Sequence, residues 1–133
     1  MKSPKQTMDV EAILLNAIGV AIREAESITP TPMMVAQHTN PLDDHSPVDK
    51  AWYVSEGVCG FGYVLVPDAR KRVTKELIKT GHFRYSEYNK AASMSAGTWT
   101  QSQSYERNVK FATTVCRELR EHGIECYVES RLD

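Results

Sequence analysis

Between Trp52 and Val66 an extended chain would be apolar on both of its faces. Val58, Val64 and Val66 share one parity, while Cys59, Phe61, Tyr63 and Leu65 share the other. Successive side chains of a strand point to opposite faces. Such a run is therefore satisfied as a central strand, covered on one side and partly on the other. Gly57, Gly60 and Gly62 punctuate it. A glycine within a strand marks a bulge, a turn or the close approach of another backbone. Two arrangements fit: one long bulged strand, or a hairpin turning near Gly57.

The flanking segments supply cover. Val10, Ile13, Leu14, Ala17, Ile18, Ala21 and Ile22 recur with the spacing of an amphipathic helix. Asp9 suits its N-cap, and Thr29-Pro30-Thr31-Pro32 ends it. Residues 33–39 read as a short edge strand and residues 40–50 as an exposed loop. A second helix is expected after Pro67, with Asp68 near its cap and Gly81 at its end. Residues 82–90 read as a loop and 92–99 as a modest strand. Ser102 or Ser104 caps a last helix with the stripe Val109, Ala112, Cys116 and Leu119, closed by Gly123. Ile124, Cys126 and Val128 then alternate with polar positions in a final half-buried strand.

A chain of 133 residues is one domain's worth. Three helices cover one face of a sheet well and two faces poorly. The expected fold class is a single α+β domain over residues 1–133, with an N-terminal helix. About four strands form a mixed sheet with helices mainly on one face, and residues 1–8 are a candidate disordered tail. Parallel pairing through right-handed crossovers in the second half is the competing arrangement.

The net charge of −1 excludes a globally basic nucleic-acid coat. It is a cancellation. Residues 1–50 hold four Lys/Arg against seven Asp/Glu, giving −3, and residues 67–92 hold seven against three, giving +4. The basic segment is either a solvated helix face or an anion-facing patch. Cys59, Cys116 and Cys126 are odd in number and lack metal-site spacing, which fits a reducing compartment. The apolar stretch 12–22 is broken by Asn16 and too short to span a bilayer. With no signal-like leader, the expected location is the cytoplasm, with no membrane partner.

The run Tyr53 to Val64, the pair Gln101-Ser102, the helix beginning near Tyr105 and the ending Gly123 to Asp133 carry a family pattern. The chain resembles a family of small proteins of tailed bacteriophages and prophages that combine an E-G-V-C-G-F-A-W-V run, a Q-S before a helix and a final S-R-[LM]-D. The resemblance spans about residues 30–133. The chain departs from the pattern at Pro67-Asp68-Ala69-Arg70 and at 89–95, where the family carries glycine-rich turns. The resemblance implies a phage accessory protein in the host bacterial cytoplasm and no particular chemistry.

Gly60-Phe61-Gly62-Tyr63-Val64-Leu65-Val66 also fits most of the RNA-recognition-motif octapeptide, in which sheet aromatics stack on bases. Its basic first position is Cys59 here, and the chain starts with a helix where that fold needs a strand. Phe61 and Tyr63 are therefore read first as sheet core under a helix, and second as an open stacking platform. Cys59 lacks a helix N-terminus or a cationic neighbour in sequence and reads as a buried structural thiol rather than a nucleophile. His38, Asp43, Asp44 and His45 carry ligand chemistry without helical ligand spacing and read as an acidic loop rather than a metal site. Glu118 and Glu121 read as solvated carboxylates partnered by Arg117 and Arg120. Aromatics interleaved with cations, namely His82, Phe83, Arg84, Tyr85, Tyr88, Lys90 and Trp99 with Lys79, suit phosphates and bases or a protein hot spot.

The expected function is thus a non-enzymatic binding module contacting a host protein or itself as a homo-oligomer. The alternative is a nucleic-acid or signalling-nucleotide binder. The candidate binding residues are Phe61, Tyr63, Arg84, Tyr85, Tyr88, Lys90 and Trp99. No catalytic set, metal or cofactor is expected.

Overall fold

The computed structural model describes residues 9–38, 42, 45, 48–54 and 57–133, and the side chains of all of these except 34–38 and 48–54. The elements run α1 (Val10–Ser27), β1 (Met33–His38), β2 (Val48–Val54), β3 (Gly60–Val66), α2 (Arg72–Lys79), β4 (Arg84–Ser86), β5 (Ala91–Ser95), α3 (Gly97–Thr100), α4 (Tyr105–Glu121) and β6 (Tyr127–Leu132). The main sheet has the order β4-β5-β3-β6, and β1 and β2 form a separate two-stranded ribbon. The expected α+β domain is what forms. The sheet expected as mixed is antiparallel at every described pairing, so the parallel crossovers do not occur.

The long strand breaks in a way neither expectation anticipated. Gly57 turns the chain at a φ of 72°, but β2 pairs with β1 and β3 pairs with β5 and β6. Gly57 lies tight against the carbonyl of Thr31. The segment 82–90 is a β-hairpin arm rather than a loop, since β4 pairs with β5. The strand expected over 92–99 stops at Ser95 and gives way to the single turn of α3. The residue 1–8 tail, most of the 40–50 loop and the Asp43–Asp44 pair lie outside the described residues.

Helix ends follow local chemistry. The Asp9 carboxylate accepts from the Ala12 N–H at 3.0 Å, and the Ser104 hydroxyl accepts from Arg107 N–H at 3.4 Å. Gly81 and Gly123 take positive φ at the ends of α2 and α4. Asp68 does not cap α2. It sits at a φ of 63°, accepts from the Arg70 N–H at 3.1 Å and pairs with the Arg70 guanidinium, while Lys71 takes the cap position without a side-chain bond.

The helices lie on one face of the sheet. Val64 and Val66 of β3 and Ala92 and Met94 of β5 join Leu14, Ala17, Ile18 and Ala21 of α1, Leu77 of α2, and Phe111, Val115 and Leu119 of α4 in one buried cluster. Burial of such side chains contributes roughly 1.5–3 kcal/mol each. Helix α4 rests directly on β3. A Cβ at Gly60 would meet the Tyr105 ring at 2.5 Å, and one at Gly62 would meet the Asn108 carbonyl at 2.6 Å. Buried Asn108 then locks the contact. Its Nδ2 donates to the carbonyls of Gly60 and Ser102, both at 3.0 Å, and its Oδ1 accepts from the Thr100 hydroxyl at 2.5 Å.

Glu24 joins α1 to α4. Its carboxylate meets Arg117 at 3.1 Å, the Thr114 hydroxyl at 2.8 Å and Lys110 at 3.5 Å. Arg117 hydrogen bonding, then the Thr114 hydroxyl, hold the carboxyl down at about 2 from an ordinary 4.5. A lowered carboxyl pKa stabilises the fold above the unfolded value and loses that effect as pH falls through the folded one.

Two outcomes are expected. Asn108→Ala leaves the Gly60 and Ser102 carbonyls without their donor, and denaturant melts should show a loss of about 2–4 kcal/mol. A loss below about 1 kcal/mol would set aside its locking role. Glu24→Gln should flatten the decline in melting temperature of the native chain between pH about 4.5 and about 2, with little change in shape above that window.

Candidate functional site: the helix-free face of the sheet

Antiparallel register determines which side chains share a face, because directly opposite residues project to the same side. Tyr63 faces Ser95 on β5 and Glu129 on β6, Phe61 faces Arg131, and Ser93 faces Leu65 and Arg84. This set has the parity opposite to Val64, Val66 and Met94, so it lies away from the helices. Phe61 and Tyr63 are thus not core beneath a helix. Phe61 is 37% exposed and Tyr63 is half-buried. Their rings stack with centroids 6.3 Å apart. Leu65, on the same face, is buried and stands apart from the helix-side cluster.

The β5 side of this face holds a groove of about 410 Å3 lined by Tyr63, Gly81, His82, Arg84, Tyr85, Ser93, Met94, Ser95, Thr98 and Trp99. Its volume falls in the usual range for small-molecule sites. Strand β3 supplies Tyr63, the β4–β5 hairpin supplies Arg84, Tyr85 and the serines, and α3 supplies Trp99. The turn at Gly81 brings His82 against Trp99, with ring centroids 5.3 Å apart and planes at 62°. No carboxylate lines the groove among the described residues. The rings of Tyr63 and Trp99, an imidazole, a guanidinium and several hydroxyls surround one space, and Tyr85, which lies opposite Ala92 on the other parity, borders it from the edge strand. A planar ring with an attached anionic group meets complementary chemistry there.

Four of the seven candidate residues therefore converge: Tyr63, Arg84, Tyr85 and Trp99. Phe61 is adjacent, but the Arg131 guanidinium lies 5.1 Å from its ring centroid and already occupies that ring. Tyr88 is 96% exposed in the β4–β5 turn, and Lys90 takes a φ of 53° there; neither lines the groove. Phe83 belongs to the core. His82 was grouped with the aromatic segment but not singled out, and Ser93 and Ser95 were missed. Their signal was strand parity relative to Tyr63, which needs the register to be read.

The basic segment 67–92 is not one patch. Arg70 pairs with Asp68 at 3.0 Å, Arg72 with Glu76 at 3.1 Å and Lys71 with Glu125 at 3.4 Å. Of its seven cations, Arg84 alone lines the groove. Arg117 and Arg120 are only partly partners of nearby acids. Arg117 reaches Glu118 at 3.4 Å but binds Glu24 at 3.1 Å, and Arg120 donates to the Cys126 carbonyl at 2.8 Å.

Cys59, expected to be buried, is half-buried, with its sulfur 4.0 Å from the Gln103 side-chain oxygen. Cys116 and Cys126 are buried as expected, and their sulfurs lie 3.0 Å apart. The Cys126 thiol bonded to Cys116 holds the latter below the ordinary thiol range, against the opposing effect of burial, with help from Arg120. Hydrogen bonding and burial push Cys126 up. Among the described residues no cluster of three His, Cys, Asp or Glu side chains is placed to hold a metal ion, and no helix is long and apolar enough to cross a membrane.

Compared with protein-family models, curated proteins and solved structures, the chain matches none.

The thiol pair has a direct readout. In a Cys59→Ser background, thiolate absorbance should rise in one step below the ordinary thiol range, assigned to Cys116. Adding Cys126→Ala should move that step to higher pH, because the donor that favours the Cys116 thiolate is gone. An unmoved step would show that the pair does not control it.

Proposed function

We propose that the protein is a non-enzymatic binding module that takes an anionic aromatic ligand of the nucleotide class in the groove between β3, the β4–β5 hairpin and α3. The observation that carries this reading is the meeting of Tyr63, His82, Arg84 and Trp99 around one space, bordered by Tyr85, with no lining carboxylate among the described residues. Base–aromatic stacking contributes about 1–3 kcal/mol per base. Arg84 supplies the charge for one phosphate, and Ser93 and Ser95 supply hydroxyls for base or sugar edges. The ligand is a mononucleotide or the end of a single strand, because Arg84 is the one Lys or Arg lining the groove among the described residues.

A second reading takes the other half of the same face. Phe61 is already stacked by Arg131, and Tyr127, opposite Leu65 on the same face, is exposed. Aromatic and arginine side chains of this kind anchor protein contacts. In the setting implied by the phage-family resemblance, this half contacts a host protein in the bacterial cytoplasm.

Titration of the purified chain with nucleoside phosphates and labelled single strands tests the first reading. Trp99→Ala should weaken binding roughly 5- to 150-fold, the equivalent of about 1–3 kcal/mol. Arg84→Ala should weaken it and lower the salt dependence by about one ion. Phe61→Ala should leave nucleotide affinity within about twofold, since its ring is engaged by Arg131. Absence of binding at millimolar nucleotide would overturn the groove reading.

A further inference from the structure

Strand β6 forms one edge of the main sheet, and no strand among the described residues pairs with its outer side. The phase of its hydrogen bonds is set by the Asp133 N–H, which donates to the Cys59 carbonyl at 3.0 Å. In an antiparallel ladder, hydrogen-bonded pairs alternate with non-bonded ones. Residues 127, 129 and 131 therefore turn their backbone groups towards β3. The Gly62 carbonyl agrees, since it accepts from Ala96 on the β5 side and so leaves Gly62–Ser130 a non-bonded pair. Val128, Ser130 and Leu132 accordingly point their N–H and C=O groups outward, where they have no partner among the described residues.

An exposed edge of this length is a template for another strand. Natural edges are usually blunted by proline, a bulge or an inward-pointing charge, and β6 has no proline. Its charges alternate instead. Glu129 and Arg131 lie on the helix-free face two residues apart, opposite Tyr63 and Phe61 of β3. Leu132 is 59% exposed.

We infer that β6 is a self-complementary edge at which a second copy of this chain pairs antiparallel about a two-fold axis through Ser130, joining two four-stranded sheets into one. Only outward-facing residues can form the bonded pairs across such an edge. With the axis at Ser130, Ser130 meets Ser130, and Val128 meets Leu132 twice. The intervening non-bonded pairs, where side chains approach most closely, set Glu129 against Arg131 in both directions. Neighbouring two-fold registers are opposed by charge. An axis at residue 129 sets Glu129 against Glu129, and one at residue 131 sets Arg131 against Arg131. Charge thus selects one register where the backbone alone would allow several. Val128 also lines the groove between α4 and β6 with Cys116 and Arg120, so the incoming Leu132 gains an apolar neighbour at its mouth. This interface is independent of the nucleotide groove, which lies on the far side of β3.

Sedimentation and light scattering across protein concentrations up to about 1 mM test the inference, because a single strand edge lies at the small end of specific interfaces. The unaltered chain should show a monomer–dimer equilibrium. Glu129→Arg or Arg131→Glu alone should raise the dissociation constant at least about tenfold, since like charges then face each other. The double exchange, Glu129→Arg with Arg131→Glu, should restore it. Ser130→Pro removes an outward N–H, together with the Ser130 hydroxyl's hydrogen bond to Tyr105, and should also give monomer. Ser130→Ala, which loses only that hydroxyl bond, should still dimerise. The pair covers the case that Arg131→Glu fails to fold once its contact with Phe61 is lost. Circular dichroism and melting temperature report folding for each. A chain that stays monomeric throughout overturns the interface. Single exchanges that dimerise like the unaltered chain, or a folded double exchange that does not recover, overturn the edge or its register.

Discussion

The seat of α4 on β3 is the contact on which the rest of the structure depends. Gly60 and Gly62 let a helix backbone come closer to a strand than any side chain would permit. Asn108 converts that proximity into hydrogen bonds with Gly60, Ser102 and Thr100. Because Asn108 also holds the segment carrying α3, the same node sets where Trp99 stands. The helix layer then follows. Helix α1 packs on α4, clasped by Glu24 to Arg117 and Thr114, and α2 closes over β5. Core and groove thus share one positioning device, and Met94 of the core and Trp99 packed against it both line the groove.

The asymmetry of the sheet is a consequence of that seat. Three helices gather on the glycine side of β3. The other side keeps Phe61, Tyr63, Leu65, Arg84, Glu129 and Arg131. A face that carries aromatic rings and alternating charges is poorly suited to burial against a further apolar layer. It is suited to contacts that satisfy both components, such as a nucleotide on the β5 side or a protein surface on the β6 side.

Much of the helical framework was legible in the residues themselves. Asp9, Ser104, Gly81 and Gly123 act locally, and the stripes of α1 and α4 have a period that no other element mimics. The strands were less legible for a physical reason. A run apolar on both parities reads alike whether it is covered twice or once. The position of Phe61 and Tyr63 therefore depended on which side the glycines faced α4. Asp68 misled because an aspartate before a helix suits a cap, yet the same carboxylate here satisfies Arg70 in a left-handed turn. The basic segment misled because charge summed along a chain ignores partners such as Glu76 and Glu125, which arrive from neighbouring turns or distant strands. His82, Ser93 and Ser95 were hidden because their membership of the groove is a matter of pairing register and of the Gly81 turn, not of composition.

The two ends of the sheet also handle their exposed edges differently. Strand β4 spans only Arg84–Ser86, and a short edge offers little template for addition. Strand β6 spans six residues and relies on the order of its charges. Pairing through β6 leaves the groove beside β5 uncovered in each copy, because β3 and β6 intervene. The two grooves of such a pair would stand on the same face of a continuous sheet, with β5 strands five spacings apart, or about 24 Å. A mononucleotide sees two separate sites at that distance. A longer strand meets a bivalent surface, so that its second contact forms at the raised effective concentration of a tethered ligand. The modest charge of each groove, one arginine with no carboxylate among the described residues, would serve a polymer best when contacts are multiplied in this way. The edge and the groove therefore bear on the same question, whether the ligand proposed for the groove is a single nucleotide or a chain of them.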